Sequence, residues 1–337
     1  MNSPTPRPGV YEIYWKFAAE RQRTFEARVR GDEAPFTDDP IIQNYKFCNV
    51  FRAADRVSQY MIRDVAYRAD DSSPQDRIFQ IVAFRTFSNT RTWDTLTEIL
   101  GRSPRITDLE DDSFENALTM TKERNSGLYT GAFILCATNA YGRTQKHLNH
   151  VELFRDMFVI QGLADELLAA QSLQAVYEAL HRFPLMGDFM SYQTAVDLNY
   201  SEFVNFSEDD FTQPGPGALR GLRKVFSDFG GLTPREVIMW MVEHQEEEFA
   251  RLGLRFDGLW GRPLHAIDAQ GLFCETDKYC REALPELRSA RSRIKARFSQ
   301  TSEPMTLFFP PKWGLNDKLP KAPVLGAKIE SRLEPLF

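Results

Sequence analysis

The sequence predicts an all-α, mainly helical protein, and three observations lead to this class. Apolar residues recur at helical spacing through several long segments, helix-start signals precede some of them, and strand-like patterns are too few for a major sheet. Hydrophobic residues form 42% of the 337-residue chain, which is enough to bury a sizeable core in one large domain or two. Phenylalanine, with 26 residues, supplies most of the aromatic share, so a phenylalanine-rich core is predicted.

The net charge and the arrangement of cysteine and histidine residues argue against several classes of function. A net charge of −6 argues against a protein that coats nucleic acid non-specifically, although it is compatible with a local basic groove. The four cysteines form no C-x-x-C pair, and His147 and His150 have no third ligand at metal spacing, so we expect no metal and no cofactor. The sequence has no run of about eighteen apolar residues and no signal-peptide core, which predicts a cytoplasmic protein without a membrane partner.

The N-terminal part is predicted to hold a flexible arm followed by helices. Residues 1–10 contain several prolines and are predicted to form the arm. From Tyr11 to about Val29 the apolar residues follow helical spacing, and Arg21 lies near the apolar face, where we expect it to pair with an acid. Thr37-Asp38-Asp39-Pro40 combines capping side chains with a proline at the first helical position, so another helix is predicted to start there.

That helix is expected to run to about residue 63, with an apolar stripe beside a polar one. The polar stripe contains residues that we assign to a base pocket, namely Asn49, Arg52, Asp55 and Arg56. Amide and guanidinium groups suit hydrogen bonding to a base edge, a sugar hydroxyl or a phosphate. The alternative is an Arg–Asp network that ties helices together.

The middle of the chain is predicted to remain helical. An apolar helix covers residues 78–100 and breaks at Ser88-Asn89-Thr90, where Asn89 is expected to cap the next helix. Residues 101–125 are acidic and rich in turns, and the apolar run Ala132–Ala137 is predicted to be a helix fragment. Two more helices are expected between residues 153 and 180.

A tight turn, Pro184-Leu185-Met186-Gly187, is predicted to join a helix end to a second helix from about Asp188 to Leu198. Gly187 can take a positive φ, so the two helices can meet at a sharp hairpin whose free backbone N–H groups point outward. Such a corner binds an anion, and a DNA phosphate is a natural candidate. An acidic loop ending in Asp209-Asp210 follows, and the corner Gly215-Pro216-Gly217 opens a basic helix that carries Arg220, Arg223 and Lys224.

The remaining sequence is again predicted to be helical before an extended end. Thr233-Pro234-Arg235-Glu236 marks a capped helix start, and a helix is expected to follow to Arg251. Residues 301–337 are predicted to be a tail that packs through Phe308, Phe309 and Trp313. A cluster of basic residues could contact nucleic acid, and the alternative is an ordinary solvated helix face. The cluster comprises Arg288, Arg291, Arg293, Lys295 and Arg297.

The order helix, P-x-x-G hairpin, helix and later aspartate resembles the helix-hairpin-helix DNA glycosylases. The whole chain more closely resembles the α-glutamyl/putrescinyl-thymine pyrophosphorylase family, also described as the helical domain of 5-hydroxymethyluracil DNA kinases. The segments that carry this resemblance are the hairpin region, YWKFAAERQRTF, PFTDDPIIQNYKFCNVFRAADRVSQYMI, IVAFRTFSNTRTWDTL, CETDKYCRE and FFPPKWGL. The resemblance implies a glycosylase-like helical catalytic domain over residues 11–300, with the helix-hairpin-helix at about 175–225.

The glycosylase resemblance also implies a catalytic aspartate at a helix start after the hairpin. Its position falls at Asp209 or Asp210, and we choose Asp210, which Phe211 follows directly. One carboxylate can stabilise an oxocarbenium-like sugar and activate water. The alternative role is simple capping of the helix after Gly215. No lysine lies between Gly187 and Asp210, so Schiff-base chemistry is not expected and the enzyme would be monofunctional.

Further residues are assigned by their place in these motifs. Tyr192 and Gln193 on the second hairpin helix could enter the base stack, with core packing as the alternative for Tyr192. Lys278, inside CETDKYCRE, could contact a phosphate or the modified base. The residues expected to contact DNA are Gly187, Gln193, Gly215, Gly217, Arg220 and Lys224, and those of the base pocket include Tyr192 and Lys278.

The sequence leads us to expect a DNA glycosylase that flips and excises a hypermodified base from double-stranded phage DNA. Its product would be an abasic site, and its role would be antiviral defence. The alternative is a transferase that acts on pyrophosphorylated 5-hydroxymethyluracil in DNA, and a third possibility is a non-catalytic module that senses modified DNA. The motif G-x-x-x-x-G-K-[ST] is absent, so no ATP-binding loop of that type is expected in this chain. No obligatory protein partner is evident.

Overall fold

The computed structural model describes residues 2–130, 140–287, 294, 296–299, 304–320 and 324–325. The chain divides into two compact units, which we call the terminal unit (Met1–Arg56 with Pro214–Phe337) and the central unit (Val57–Gln213). The described residues are mainly helical, which confirms the predicted all-α class. The predicted helix fragment at Ala132–Ala137 and the basic residues Arg288, Arg291, Arg293 and Lys295 lie outside the described residues. No helix within the described ranges is long and apolar enough to cross a membrane.

The α-helices of the described residues are, in chain order, α1 (Val10–Arg30), α2 (Pro40–Asn44), α3 (Arg56–Tyr60), α4 (Pro74–Phe87), α5 (Thr90–Leu100), α6 (Ser113–Arg124), α7 (Lys146–Phe154), α8 (Leu163–Leu168), α9 (Leu173–His181), α10 (Asp188–Tyr200), α11 (Pro216–Val225), α12 (Pro234–Glu243), α13 (Gln245–Arg251) and α14 (Ala266–Ala283). Short strands β1 (Thr5–Pro6) and β2 (Phe226–Asp228) pair antiparallel, as do β3 (Pro304–Met305) and β4 (Val324–Leu325). Two π-helical turns cover Met61–Ala66 and Arg155–Ile160, and 3₁₀ turns cover Arg52–Ala54, Ile106–Leu109, Pro285–Leu287, Pro311–Trp313 and Asn316–Lys318.

The terminal unit is built around the aromatic face of α1. Tyr14 and Trp15 are fully buried, and their rings meet edge to face with centroids 5.0 Å apart. The Tyr14 ring also contacts Phe273 of α14 at 4.7 Å, and the Tyr14 hydroxyl donates to the Ala269 carbonyl at 3.3 Å. Aromatic pairs of this kind add to the free energy gained from burying their area. Helix α14 is therefore anchored against α1, and α14 carries several of the polar groups discussed below.

The central unit has a phenylalanine-rich core around α4, as the composition predicts. The ring of Phe79 meets Phe114, Phe154 and Phe158 with centroids 5.5, 5.9 and 5.2 Å apart. Helix α4 ends where predicted, because Ser88 takes a left-handed conformation at φ 49° and Asn89 then caps α5 through the Thr92 N–H at 3.4 Å. A fully buried ion pair between Arg85 and Asp197 joins α4 to α10.

Three N-terminal expectations meet a different structure. The proposed arm, residues 1–10, includes β1 and is held by a 2.9 Å hydrogen bond from Arg7 Nε to the Lys224 carbonyl. The expected helix from Asp39 to about residue 63 is wrong, because α2 ends at Asn44 and the chain becomes helical again only at residue 52. Arg21 makes no ion pair among the described residues, and its Nη2 instead donates to Asn49 Oδ1 at 2.6 Å.

The expected start and end signals elsewhere are observed. Asp39 caps α2 through the N–H groups of Ile41 and Ile42, at 2.8 and 3.0 Å. Thr233 and Glu236 form a reciprocal capping box at the start of α12. In the C-terminal segment Phe309 is buried, and its ring stacks on Trp313 with centroids 6.1 Å apart.

Helices α11 and α14 cross in close contact because α11 has glycines at the crossing. A Cβ atom at Gly221 would lie 2.0 Å from the Phe273 carbonyl oxygen, and one at Gly217 would lie 2.8 Å from Cys274 Sγ. The first of these neighbours is backbone that cannot move aside without shifting a helix. The glycine spacing of α11 is thus explained by helix packing.

A buried carboxylate on α14 ties the same two helices together electrostatically. Asp277 is fully buried and pairs with Arg220, Lys224 and Arg281 at 3.2, 2.9 and 2.6 Å. Burial alone would raise the pKa of Asp277, but hydrogen bonds from Arg281 and Lys224 hold it below its ordinary value. The charge of Lys224, a residue only 7% exposed, is therefore engaged inside the protein.

Replacing Gly221 by alanine should destabilise the chain by about 1–3 kcal/mol or more, because the added methyl group overpacks the α11–α14 crossing. The matched control is Gly271→Ala on α14, where a Cβ would have no neighbour within 4 Å. That change should be neutral or stabilising by up to about 1 kcal/mol. Urea unfolding of both variants measures the difference, and equal stabilities would contradict the close crossing.

Replacing Asp277 by asparagine should cost about 3–5 kcal/mol at neutral pH, since three cations would lose their buried partner. Because folding lowers the pKa of Asp277, its stabilising contribution is present above the unfolded value of 3.8 and is lost as pH falls through the lower folded pKa. The difference in the free energy of unfolding between the parent and Asp277→Asn should therefore become smaller at acidic pH. Asp32→Asn, which removes only an exposed partner of Arg30, is the control. An Asp277→Asn variant as stable as this control would refute the network.

Candidate functional site

The predicted hairpin is present in the central unit, but its geometry differs from the expectation. Helices α9 and α10 are joined by a turn in which Leu185, and not Gly187, takes the left-handed conformation, with φ 69° against −71° for Gly187. The Met186 carbonyl fixes the turn, because it accepts hydrogen bonds from Ser191 Oγ at 2.9 Å and lies 2.8 Å from His181 Nδ1. The positive φ that we assigned to Gly187 is therefore wrong.

The start of α10 combines a terminus without a side-chain cap with an acidic residue. No side chain caps this terminus, as the hairpin prediction requires. Asp188 lies in its first turn and accepts a 3.0 Å hydrogen bond from the Tyr177 hydroxyl. A carboxylate at this place competes with a phosphate for the positive end of the helix dipole. Tyr192 and Gln193, expected to enter the base stack, are 0% and 4% exposed within the central unit.

Asp210 has a local structural role. It is exposed, and its Oδ2 accepts the backbone N–H of Leu173 at 3.1 Å, so it supports the start of α9 together with the N-cap Ser172. The start of α11, which was the alternative cap site for Asp210, has Gly215 as its N-cap and no side-chain cap. Asp209 donates its backbone N–H to Ser207 Oγ at 3.3 Å.

The other predicted DNA-contact residues lie in the terminal unit, on α11 and at its start. Gly217 packs on Cys274, and Arg220 and Lys224 pair with Asp277. If Arg220 and Lys224 contact DNA as predicted, they must use N–H donors that are not engaged with Asp277. This holds most strongly for Lys224, which is almost fully buried.

A group of three carboxylates holds the irregular segment that replaces the expected helix after α2. We call Asp55, Asp268 and Glu275 the carboxylate clasp. Glu275 Oε2 accepts the Cys48 N–H at 3.0 Å, Asp55 Oδ1 accepts the Asn49 N–H at 2.8 Å, and Asp268 Oδ1 accepts the Arg52 N–H at 3.0 Å. The carboxylates thus satisfy three backbone donors of the segment without helical hydrogen bonds.

The predicted base-pocket residues Asn49, Asp55 and Lys278 meet around this segment. Asn49 is fully engaged, because its Oδ1 accepts from Arg21 and its Nδ2 donates to the Ala54 carbonyl at 2.8 Å. Lys278 Nζ donates to Glu275 at 2.9 Å and lies 4.5 Å from the centre of the Phe47 ring. The nearby Glu275 carboxylate raises the pKa of the Cys48 thiol well above its usual value, so Cys48 is a poor nucleophile.

The pKa of the Asp55 carboxyl group lies close to neutral pH. Burial raises its pKa to about 6, against the lowering effects of the Asn49 N–H and of Arg21. The side chain is half-buried, and its second oxygen has no hydrogen-bond partner among the described residues. A carboxyl group in this state exchanges a proton near neutral pH and has one oxygen available to do so.

Sequence reasoning identified Asp55 but missed the other two clasp residues. Asp268 and Glu275 are about two helical turns apart on α14, so they share a face, and this spacing was the available signal. Their partners lie more than two hundred residues away in the chain. No local pattern could therefore connect them.

Comparisons with known proteins relate the chain to a described family. The family described as "5-hmdU DNA kinase, helical domain" matches residues 8–289. A "5-hmdU DNA kinase" of Bacillus phage SP10 is 27% identical over 292 residues, which cover 80% of this chain and 45% of that protein. The chain thus spans less than half the length of this relative. No solved structure matches the chain.

These findings overturn the main functional expectation. They relate the chain to a kinase, which belongs to the transferases, whereas we expected a hydrolytic DNA glycosylase that leaves abasic sites. The resemblance to helix-hairpin-helix glycosylases is not supported by them either. Asp210 was chosen as a catalytic residue because of the glycosylase resemblance, so this choice no longer has a basis. By its match over most of its length, the chain belongs to the family of 5-hmdU DNA kinase helical domains.

Proposed function

We propose that this chain is a transferase that acts on 5-hydroxymethyluracil in DNA, and that its substrate is the pyrophosphorylated form of this base. Its family and its phage relative, whose name specifies a 5-hmdU DNA kinase, support a transferase class and a modified thymine as target. The chain spans only 45% of that relative, so the activity is proposed on the chemistry of the residues present here.

The observation that carries the proposal is the Asp55 carboxyl group. A general base works best when its pKa lies near the operating pH, and burial brings the pKa of Asp55 to about 6. Deprotonating an attacking amine requires a base of this kind. The half-buried position keeps the group partly shielded from water while its second oxygen stays available.

The proposed reaction replaces pyrophosphate on the base by an amine or an amino acid. The amine nitrogen forms a bond to the exocyclic methylene carbon of the base, and the bond from that carbon to the pyrophosphate oxygen breaks. Pyrophosphate leaves with the electron pair, and the extra proton on the nitrogen passes to Asp55. All atoms and charges are accounted for by these two bonds and one proton.

The charges around Asp55 favour this step. Arg21 and Arg52 both lower the pKa of Asp55, which means that their positive charge acts at the carboxyl group. Preorganised positive charge stabilises a leaving group that becomes more anionic in the transition state. We further propose that the α9–α10 hairpin, around Gly187, contacts the DNA backbone and that the chain retains a helix-hairpin-helix mode of DNA binding.

The direct experiment uses a DNA duplex that carries pyrophosphorylated 5-hydroxymethyluracil, a primary amine, and the purified chain. Release of inorganic pyrophosphate should require both the modified DNA and the amine. A second reaction supplies unactivated 5-hydroxymethyluracil DNA with ATP. Phosphate transfer in that reaction, without pyrophosphate release in the first, would replace the proposal by kinase activity. Absence of both reactions would refute a transferase.

Asp55→Asn should slow pyrophosphate release by about 10²–10⁴-fold at pH 7.5, the usual contribution of a general base. The parent rate should rise with pH through a midpoint near 6, the pKa of Asp55, and the variant should lack this rise. Asp32→Asn, at an exposed ion pair, should keep both the rate and its pH profile. An Asp55→Asn variant that retained the rise would exclude Asp55 as the base.

The same substitution should stabilise the fold at alkaline pH. Folding raises the pKa of Asp55 from 3.8 to about 6, so the folded state binds its proton more tightly and the parent loses stability as pH rises through this window. Asparagine is uncharged and can still accept the Asn49 N–H. We expect the free energy of unfolding of Asp55→Asn to be about 1–3 kcal/mol higher than that of the parent at pH 8. Near pH 3 the two free energies of unfolding should be equal. Equal destabilisation at both pH values, in urea unfolding, would show that Asp55 is not penalised by burial.

A further inference from the structure

Arg28 on α1 is a half-buried cation without an anionic partner. Its guanidinium lies 5.4 Å from the centre of the Phe36 ring and 4.9 Å from that of Phe298. Its Nε is shielded from solvent and has no hydrogen-bond partner among the described residues. Within the same residues its side chain forms no ion pair. Aromatic rings attract the charge but supply no oxygen acceptor for the N–H groups.

Arg21, about two helical turns earlier on the same face of α1, is in a similar state. It is only 4% exposed. Its Nη2 donates to Asn49 Oδ1 at 2.6 Å and more weakly to the Phe47 carbonyl at 3.4 Å. Its Nη1 is buried and has no acceptor in the described part of the chain. The acids that act on it, Asp55 and Glu275, do so through space without a direct ion pair.

Among the described residues of the terminal unit, neither arginine has a direct ion-pair partner. Burial and then the charge of Arg21 lower the pKa of Arg28 to about 9, and no carboxylate counteracts this shift. A buried guanidinium N–H without an acceptor is costly, and proteins rarely retain such groups without a use. The arrangement is explained if a ligand brings the missing acceptors and negative charge.

The chain builds the surroundings of Arg28 from distant segments. Residues 44–46 pair with residues 296–298 through hydrogen bonds from Lys46 N to the Ala296 carbonyl at 2.9 Å and from Phe298 N to the Asn44 carbonyl at 3.0 Å. This pairing brings the Phe298 ring to Arg28. The loop that carries Asn49 follows directly and reaches Arg21. The surroundings of Arg28 are thus held by backbone pairing that does not use its N–H donors, whereas Arg21 is held through Nη2 and keeps Nη1 without an acceptor among the described residues.

We propose that Arg21 and Arg28 form a binding site for a phosphate oxyanion. Guanidinium groups bind phosphate through paired N–H donors and remain charged when partly buried, which suits this ligand class better than a neutral one. Two sources share this chemistry: the pyrophosphate group of an activated base and the backbone phosphates of DNA. The first source rests on the proposed function, and the second requires only DNA binding.

The test measures binding and needs no turnover. Inorganic pyrophosphate and an unmodified DNA duplex are titrated separately into the parent, Arg28→Gln and Arg21→Met. Arg30→Gln is the matched control, because Arg30 lies on the same helix, is exposed, and pairs with Asp32 at 2.8 Å. We expect the parent to bind at least one of the two probes, and the two site variants to weaken that binding about tenfold or more relative to the control.

The two probes identify the source of the phosphate. Weaker binding of pyrophosphate with unchanged DNA affinity assigns the site to the substrate's phosphate group. Weaker DNA binding with a smaller salt dependence assigns it to the DNA backbone. A parent that binds neither probe, or site variants that bind both probes as well as Arg30→Gln does, would overturn the proposal.

Two further measurements separate the site from the fold and from the activity. Without phosphate, Arg28→Gln should melt at the same or a higher temperature than the parent, because an uncompensated charge is removed; Arg28→Lys, which keeps the charge but loses the planar donor array, should still bind more weakly. If Arg28→Gln does not fold, Arg28→Lys alone decides, and parent-like binding by it contradicts the site. If the parent binds a probe but releases no pyrophosphate in the activity assay, only the proposed transferase activity is contradicted. If the parent releases pyrophosphate but the Arg21 and Arg28 variants bind the probes as well as the control does, only the proposed phosphate site is contradicted.

Discussion

The carboxylate clasp is the interaction on which the terminal unit depends. Asp55, Asp268 and Glu275 bind the backbone N–H groups of Asn49, Arg52 and Cys48, so the segment after α2 is held as an irregular loop and not as a helix. Three effects follow from this constraint. The loop brings Asn49 to Arg21, it places the Phe47 ring 4.5 Å from Lys278 Nζ, and it leaves Asp55 with a raised pKa and one available oxygen.

The surroundings of Asp277 show how this acidic chain distributes its charge. Many of its cations are used internally, as the pairing of Arg220, Lys224 and Arg281 with one carboxylate illustrates. Basic residues that look like a nucleic-acid surface in the sequence can therefore be part of helix packing. Arg21 and Arg28 differ from them because no carboxylate pairs with either within the described residues, and this contrast is what makes them candidates for ligand binding.

The sequence was sufficient for features that depend on neighbouring residues. The all-α class, the Asp39 cap, the break at Ser88 and the Thr233–Glu236 capping box follow from propensity and local hydrogen bonding. It was insufficient for the loop after α2, because that loop is set by acids on α14 far along the chain. The left-handed residue of the hairpin was misplaced for a related reason, since the turn is fixed by side chains around Met186 and not by glycine alone. The wrong expectation of glycosylase activity has a different origin. The order of helices, hairpin and aspartate describes the course of the chain, and a similar chain course does not specify the reaction.

The central claim is that this chain joins a nucleophile to a modified thymine that stays in the DNA. Mass analysis of nucleosides tests it most directly, after DNA with pyrophosphorylated 5-hydroxymethyluracil has been incubated with the chain and an isotopically labelled amine and then digested. The account predicts a nucleoside in which the amine has replaced pyrophosphate and the glycosidic bond is intact. Recovery of the modified base without its sugar, or of the starting nucleoside unchanged, would contradict it.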